Sequence, residues 1–255
     1  MRTLYERLRD LLPESGVRAG ATDETGRDLQ SLASEFLCHQ HVGEMLDLYD
    51  VNCVFDVGAN TGQYGRELRE LGYTGRIVSF EPASAAFERL AEAAAGDPEW
   101  RVHRLALGRE ESVTAVHTGW DTMNSLLPPS DYGRARYERF TETRTEEVRV
   151  RRLADVLDEA LDGIDDPRPF LKMDTQGYDL EVFTGAGDRI AEFVGLLSEV
   201  ALLRLYEGSP RMDESVAAYE AAGFETTGLY SVSRDPATGR VVEFDCVMMR
   251  AKRAR

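Results

Sequence analysis

Asp56, Gly58, Asn60 and Gly62 stand together in the stretch VFDVGANTGQYG, residues 54–65. β-favouring residues run into a carboxylate. A glycine-rich corner follows, and then what reads as the first turn of a helix. Such a corner serves either a tight turn or a bound, nucleotide-like molecule. Gly58 and Gly62 lack a β-carbon, so a ligand can approach the backbone closely there. The helix beyond presents free N–H groups and the positive end of its dipole, which stabilise an anionic group. Asp56 could accept a hydrogen bond from a ligand amine. Glu81 ends the next strand-like segment, GRIVSFEP, where a carboxylate can take both hydroxyls of a ribose.

The order of the glycines separates cofactor classes. A nicotinamide dinucleotide site needs G-x-G-x-x-G, because a pyrophosphate presses onto the loop. Here Gly58-Ala59-Asn60-Thr61-Gly62 gives G-x-x-x-G with an aspartate two residues ahead. That is the pattern of S-adenosylmethionine sites, in which an amino-acid moiety fills the corner. An NAD-dependent oxidoreductase is disfavoured on this ground. A non-catalytic nucleotide-binding module of the same fold remains as an alternative.

Two further carboxylates end core-type strands: Asp174 after RPFLKM and Glu199 in FVGLLSEV. Side by side at one rim, they could act as a general base toward a hydroxyl. They could also hold a divalent cation such as Mg²⁺ that orients vicinal hydroxyls, although the sequence predicts no metal site. The plain alternative is that strand-end carboxylates cap the next helix or turn. His41 and His103 are alternative bases. The stretch of about residues 118–146 has little periodicity, and loops of that length are commonly functional. Its Trp120, Asn124, Ser125 and Tyr132 could contact a substrate, or the segment could simply cover a sheet edge.

The elements that would position these groups alternate. Strand-like segments near 51–58, 75–82, 100–108, 168–174 and 193–200 are separated by helix-like ones closed by glycine, as in GQYGRELRELG and ASAAFERLAEAAAG. That regularity predicts an α/β fold with a doubly wound, mostly parallel sheet. ESVTAVHTG reads as an extra strand, EEVRVRRL as an edge or half-buried antiparallel strand, and LADVLDEAL as an amphipathic helix. FETTGLYSV and VEFDCVMMR read as a C-terminal antiparallel pair. Residues 1–50 carry leucines at helical spacing and read as an N-terminal helical extension. Residues 51–255 form the domain proper.

Hydrophobic residues are 42% and charged residues 30% of the 255, as in an ordinary globular protein. No apolar run is long enough to span a bilayer, and the N-terminal stretch lacks the apolar centre of a signal peptide. A cytoplasmic protein is expected. The formal charge of -16 opposes nucleic acids and anionic membranes as partners. The three cysteines form no CxxC and read as buried thiols. Oligomeric state is not legible.

VFDVGANTGQYG, GRIVSFEPASAAFERL, ALG, FLKMDTQGYDLEVFTGA and LLSEVALLRLYEG, in this order, resemble the FkbM-like family of S-adenosylmethionine-dependent methyltransferases. The resemblance covers roughly residues 40–250, and the block around KMDTQGYDLEVFTGA is its most specific part. It implies a class I, Rossmann-like methyltransferase that O-methylates a hydroxyl of a small molecule such as a sugar, glycoside or other secondary metabolite. By position it implies Asp56, Gly58, Ala59, Asn60 and Gly62 for the methionine part and Glu81 with Pro82 for the ribose. Leu105 and Ala106 fall to the adenine region, and Asp174 to the methyl end. Many relatives read D-x-E-G where this chain has Asp174-Thr175-Gln176-Gly177, so an acidic group is missing at Gln176.

Overall fold

The computed structural model describes residues 29–251. The helix expected from Leu4, Leu8, Leu11 and Leu12, and most of the basic tail, lie outside them. The first described element is helix α1 (Leu29–Leu48), one continuous helix. Then β1 (Cys53–Val57), α2 (Gln63–Glu70), β2 (Arg76–Phe80), α3 (Ser84–Ala94) and β3 (Trp100–His103) follow the alternation in the sequence. Later come β4 (Ala106–Gly108), β5 (Ser112–Thr118), α4 (Asp131–Arg136), β6 (Arg144–Arg152) and α5 (Leu157–Leu161). The chain closes with β7 (Pro169–Met173), α6 (Asp179–Gly185), β8 (Gly195–Ala201), α7 (Met212–Ala221), β9 (Phe224–Arg234) and β10 (Val241–Arg250).

Seven strands make one sheet in the order β3-β2-β1-β7-β8-β10-β9. The first five are mutually parallel, and β10 runs antiparallel to both its neighbours. The strand order reverses between β1 and β7, which opens a crevice beyond their carboxyl ends. Strands β1, β2 and β7 are buried along their whole length, as a sheet covered on both faces requires. The fold is the doubly wound, Rossmann-like one that the sequence predicts, with the C-terminal antiparallel pair in place.

Three details differ from expectation. WRVHRLALG is not one strand: the chain leaves the main sheet after His103, and β4 joins a second sheet of order β4-β6-β5. EEVRVRRL lies in β6, half-buried and antiparallel to β5 as one of its two readings had it, but at the centre of that small sheet and parallel to β4 on its other side. Its Val148 and Val150 are buried, and Val148 packs with Val116 against Ala83 and Ala86 at the start of α3. LADVLDEAL divides into a 3-10 turn and the short α5.

Helix α1 is built into the main domain. Its Cys38, Val42 and Leu46 share a core with Val54, Ile77, Phe170 and Val247. Cys38, Cys53 and Cys246 are all buried free thiols, and burial pushes the Cys53 and Cys246 thiols up to about 12 and about 11. Among the described residues no helix is long and apolar enough to cross a membrane.

Trp100 fixes how α2 lies on the sheet. Its indole N–H donates to Ser79 Oγ at 2.9 Å, and Ser79 donates to Asp56 Oδ2 at 3.1 Å. A β-carbon on Gly65 would fall 2.2 Å from the Trp100 ring. Gly65→Ala should therefore lower stability by about 1–3 kcal/mol through overpacking. The check is the urea midpoint; an unshifted midpoint would mean that α2 slides freely on Trp100.

Candidate active site

A cleft of about 1040 Å³ opens at the carboxyl ends of the parallel strands. That exceeds what one drug-sized ligand fills, so it has room for a cofactor and an acceptor together. Gly58, Ala59, Asn60, Glu81, Pro82, Leu105 and Ala106 all line it, as do Asp174, Glu199, Asn124 and Ser125. Four expected residues do not. Asp56 is fully buried beneath the corner, and the cation it meets is the Lys172 ammonium at 2.9 Å, not a ligand amine. Gly62 faces inward, where a β-carbon would meet Leu90 and Trp100 at 3.1–3.2 Å; its φ of +79° is what calls for glycine. Trp120 is buried against Phe140, with its indole N–H on the Glu142 carbonyl. Tyr132 donates to Asp235 at 2.8 Å, away from the cleft. Of the alternative bases, His103 stacks on Phe80 and His41 packs on Tyr230, and neither faces the cleft.

The corner is held from three sides. The backbone N–H groups of Gly58 and Ala59 both donate to the Phe80 carbonyl, at 3.0 and 3.1 Å. A β-carbon on Gly58 would sit 2.0 Å from the Asp174 carbonyl oxygen, so only glycine lets β1 and β7 approach this closely. Glu81 accepts the N–H of Asn60 on one oxygen and that of Ala83 on the other, both at 2.9 Å. Each oxygen keeps a lone pair for a further donor. Burial holds the Glu81 carboxyl up at about 7, against the lowering effect of those two N–H bonds.

Lys172 is the site residue that the motifs do not single out. It lies on β7, directly across from Asp56 in the strand register. Its ammonium pairs with Asp56, donates to the Gly58 carbonyl at 3.2 Å and stands 3.8 Å from Asp174 Oδ2. Burial alone would lower its pKa; Asp56 and then Asp174 overcome that and raise it. A charged residue in the otherwise apolar FLKM was the available signal.

Asp174 and Glu199 do stand together, joined by Gln176. The Gln176 amide N–H₂ donates to Asp174 Oδ1 and to Glu199 Oε2, each at 2.9 Å. Its carbonyl oxygen accepts from Tyr206 OH at 2.8 Å. Gln176 has φ 54°, a conformation costly for a residue with a β-carbon, and Ser125 Oγ pins its backbone carbonyl at 2.8 Å. An amide thus occupies the place between the carboxylates where a cation would sit. Burial, then Glu243 and Asp174, push the Glu199 carboxyl well above the ordinary carboxylate value. Burial does the same to Glu243, to about 8. Asp174, with its side chain 45% exposed, is the open carboxylate of the pair.

Elsewhere on the cleft wall, Glu35, His39 and Glu67 bring one ligand atom each within 4.8 Å. His39 Nε2 lies 3.4 Å from Glu67 Oε2, and burial pushes the Glu67 carboxyl up to about 8.

Residues 56–226 match the model of the methyltransferase FkbM domain. The chain belongs to the FkbM methyltransferase family. Among curated proteins, methyltransferase sdnD of Sordaria araneosa is 27% identical over 212 residues, covering 73% of this chain and 79% of that protein. Solved structures with a likeness include magnesium protoporphyrin IX methyltransferase from Synechocystis with bound S-adenosylmethionine. It is 12% identical with a TM-score of 0.46, over 98% of this chain and 92% of that one. An rRNA methylase from Streptococcus thermophilus is 11% identical with a TM-score of 0.45, over 86% and 97%.

S-adenosylmethionine, the cofactor expected from the corner, fits this FkbM-family site. The half-satisfied Glu81 carboxylate suits a vicinal diol, and the apolar Leu105 and Ala106 suit a flat base. The buried Lys172–Asp56 pair is the part whose loss should be felt first. Lys172→Met leaves Asp56 buried with no counter-charge and should cost about 3–5 kcal/mol. Chemical denaturation measures this. A loss below about 1 kcal/mol would show that Asp56 finds another partner or takes up a proton at little cost.

Proposed function

We propose that this chain transfers a methyl group from S-adenosylmethionine to a hydroxyl oxygen of a small molecule, with Asp174 as the base. The observation that carries the reading is the shared cleft. Asp174, at the carboxyl end of β7, lines one cleft with Glu81 and with Asn124 and Ser125. When bound, the cofactor supplies a methyl already activated on a sulfonium, so the protein's part is position and proton removal. Glu81 would hold the ribose, and the Gly58–Asn60 backbone the amino-acid part. Gln176 fixes Asp174 through Oδ1, leaving Oδ2 as the oxygen that takes the hydroxyl proton. Glu199, whose carboxyl burial and the neighbouring acids push upward, is the poorer base of the two and would contact the acceptor by a hydrogen bond. The net charge of -16 favours a small acceptor over a nucleic acid and suits a cytoplasmic enzyme.

Asp174→Asn keeps the shape and removes the charge. Turnover should fall about 10²–10⁴-fold with S-adenosylhomocysteine affinity nearly unchanged. Glu199→Gln should cost far less. Full activity of Asp174→Asn, measured with a labelled methyl group, would exclude it as base.

Cofactor affinity should also depend on pH. Ribose hydroxyls donate to the Glu81 anion, and below about 7 the carboxyl takes up a proton and loses an acceptor position. Affinity for S-adenosylhomocysteine therefore falls as pH drops through that value, by up to about tenfold per unit. The slope should vanish in Glu81→Gln. Equal slopes for the two proteins in calorimetry would take Glu81 out of the ribose site.

A further inference from the structure

The cleft wall far from the glycine corner is cationic. Arg136, Arg139 and Arg234 line it, together with Tyr137. The guanidinium carbons of Arg136 and Arg139 stand 5.0 and 6.0 Å from the centre of the Tyr137 ring. Arg136 also donates to the Arg234 backbone carbonyl at 2.8 Å. The three residues form one cluster, and among the described residues none has a carboxylate within ion-pairing distance.

The chain has 46 acidic and 30 basic residues, so three guanidinium groups gathered on one wall of the cleft are a local reversal of its charge. The carboxylate nearest in sequence to Arg234, Asp235, is engaged otherwise. One oxygen takes the Tyr132 hydroxyl, and the other takes the N–H groups of Ala237 and Thr238. Arg136 Nε is buried and has no hydrogen-bond partner. The cleft-lining part of the Arg136 guanidinium is therefore its terminal Nη groups, one of which holds the Arg234 carbonyl.

We infer that Arg136, Arg139 and Arg234 form an anion subsite for the methyl acceptor, which is a hydroxylated small molecule carrying a carboxylate or a phosphate. The inference rests on the methyl-transfer reading above and narrows its substrate class. Guanidinium groups present forked N–H pairs that match either anion bidentately, and stacking on Tyr137 holds two of them ready. The sheet gives the spacing. Strand β9 runs in the same direction as β8, so Arg234 at its end shares the rim with Asp174. From β7 to β9 there are three strand spacings, about 14 Å in all. The acceptor therefore places its anionic group roughly 10–15 Å from the reacting hydroxyl.

The test uses the whole chain and two probes, inorganic phosphate and malonate, titrated by calorimetry against a chloride background of matched ionic strength. Wild type should bind at least one of them. Arg139→Gln and the double variant Arg136→Gln/Arg139→Gln should bind it progressively more weakly, the double variant by at least about tenfold. Affinity for S-adenosylhomocysteine should be the same in all three. Binding of phosphate alone or malonate alone supports the subsite and says which anion it prefers. No binding by wild type, or equal binding by wild type and the double variant, overturns it. Arg139 is exposed, so its single variant keeps the test decisive if the double variant melts early. Loss of S-adenosylhomocysteine binding in wild type would sink the methyl-transfer reading and leave the anion result standing.

Discussion

Lys172 brings a positive charge into a strand that is otherwise apolar, and the rest of the site is arranged around that burden. Its counter-charge, Asp56, lies directly across the β1–β7 seam where the strand order reverses. A buried ion pair is stabilising only when its remaining donors and acceptors are satisfied. Here the Gly58 carbonyl takes a second Lys172 N–H, and Ser79, itself held by Trp100, donates to the far oxygen of Asp56. One charge pair thus ties together β1, β2, β7, the glycine corner and the seat of α2. The same ammonium stands 3.8 Å from Asp174 Oδ2.

From that anchor the cleft is electrostatically graded. The acids near the seam crowd one another, and crowding with burial drives Glu199 and Glu243 toward their neutral forms. Gln176 lets two carboxyl groups share one amide where a third carboxylate would only add repulsion. Further along, the arginines on and beside α4 and at the end of β9 reverse the sign. A ligand lying across the sheet would meet first the Glu81 carboxyl, then Asp174, then positive charge.

The alternation of strands and helices, the glycine corner and the strand-end carboxylates were legible because each is a local pattern with a local cause. Gly58, Glu81, Asp174 and Glu199 fall on the cleft for the reason given by the sheet rule alone. Other roles depend on partners distant in sequence. Gly62 looks like a ligand-facing glycine until Leu90 and Trp100, a residue of β3, are placed against it. Trp120 and Tyr132 read as aromatic binding residues in an aperiodic loop, yet the loop folds its own small core with Phe140 and Tyr206. The split of WRVHRLALG into two sheets hinges on what β6 pairs with, some forty residues on. The partnership of Lys172 with Asp56 needs the register of two strands, which no single segment encodes.

The walls of the cleft do not all come from the segment shared with the family. Ser31, Glu35, Cys38 and His39 on α1 precede residue 56, and Ser231, Arg234 and Asp245 follow residue 226. The matched span therefore supplies the glycine corner, the strand ends and the loop with Asn124 and Arg139, and the flanking elements complete the walls. Those flanking elements are also core: Cys38, Val42 and Leu46 of α1 and Val247 of β10 pack with Val54, Ile77 and Phe170 beneath the same cleft. A substitution that reshapes the outer wall is therefore felt in the packing under the glycine corner, and the two can change only together.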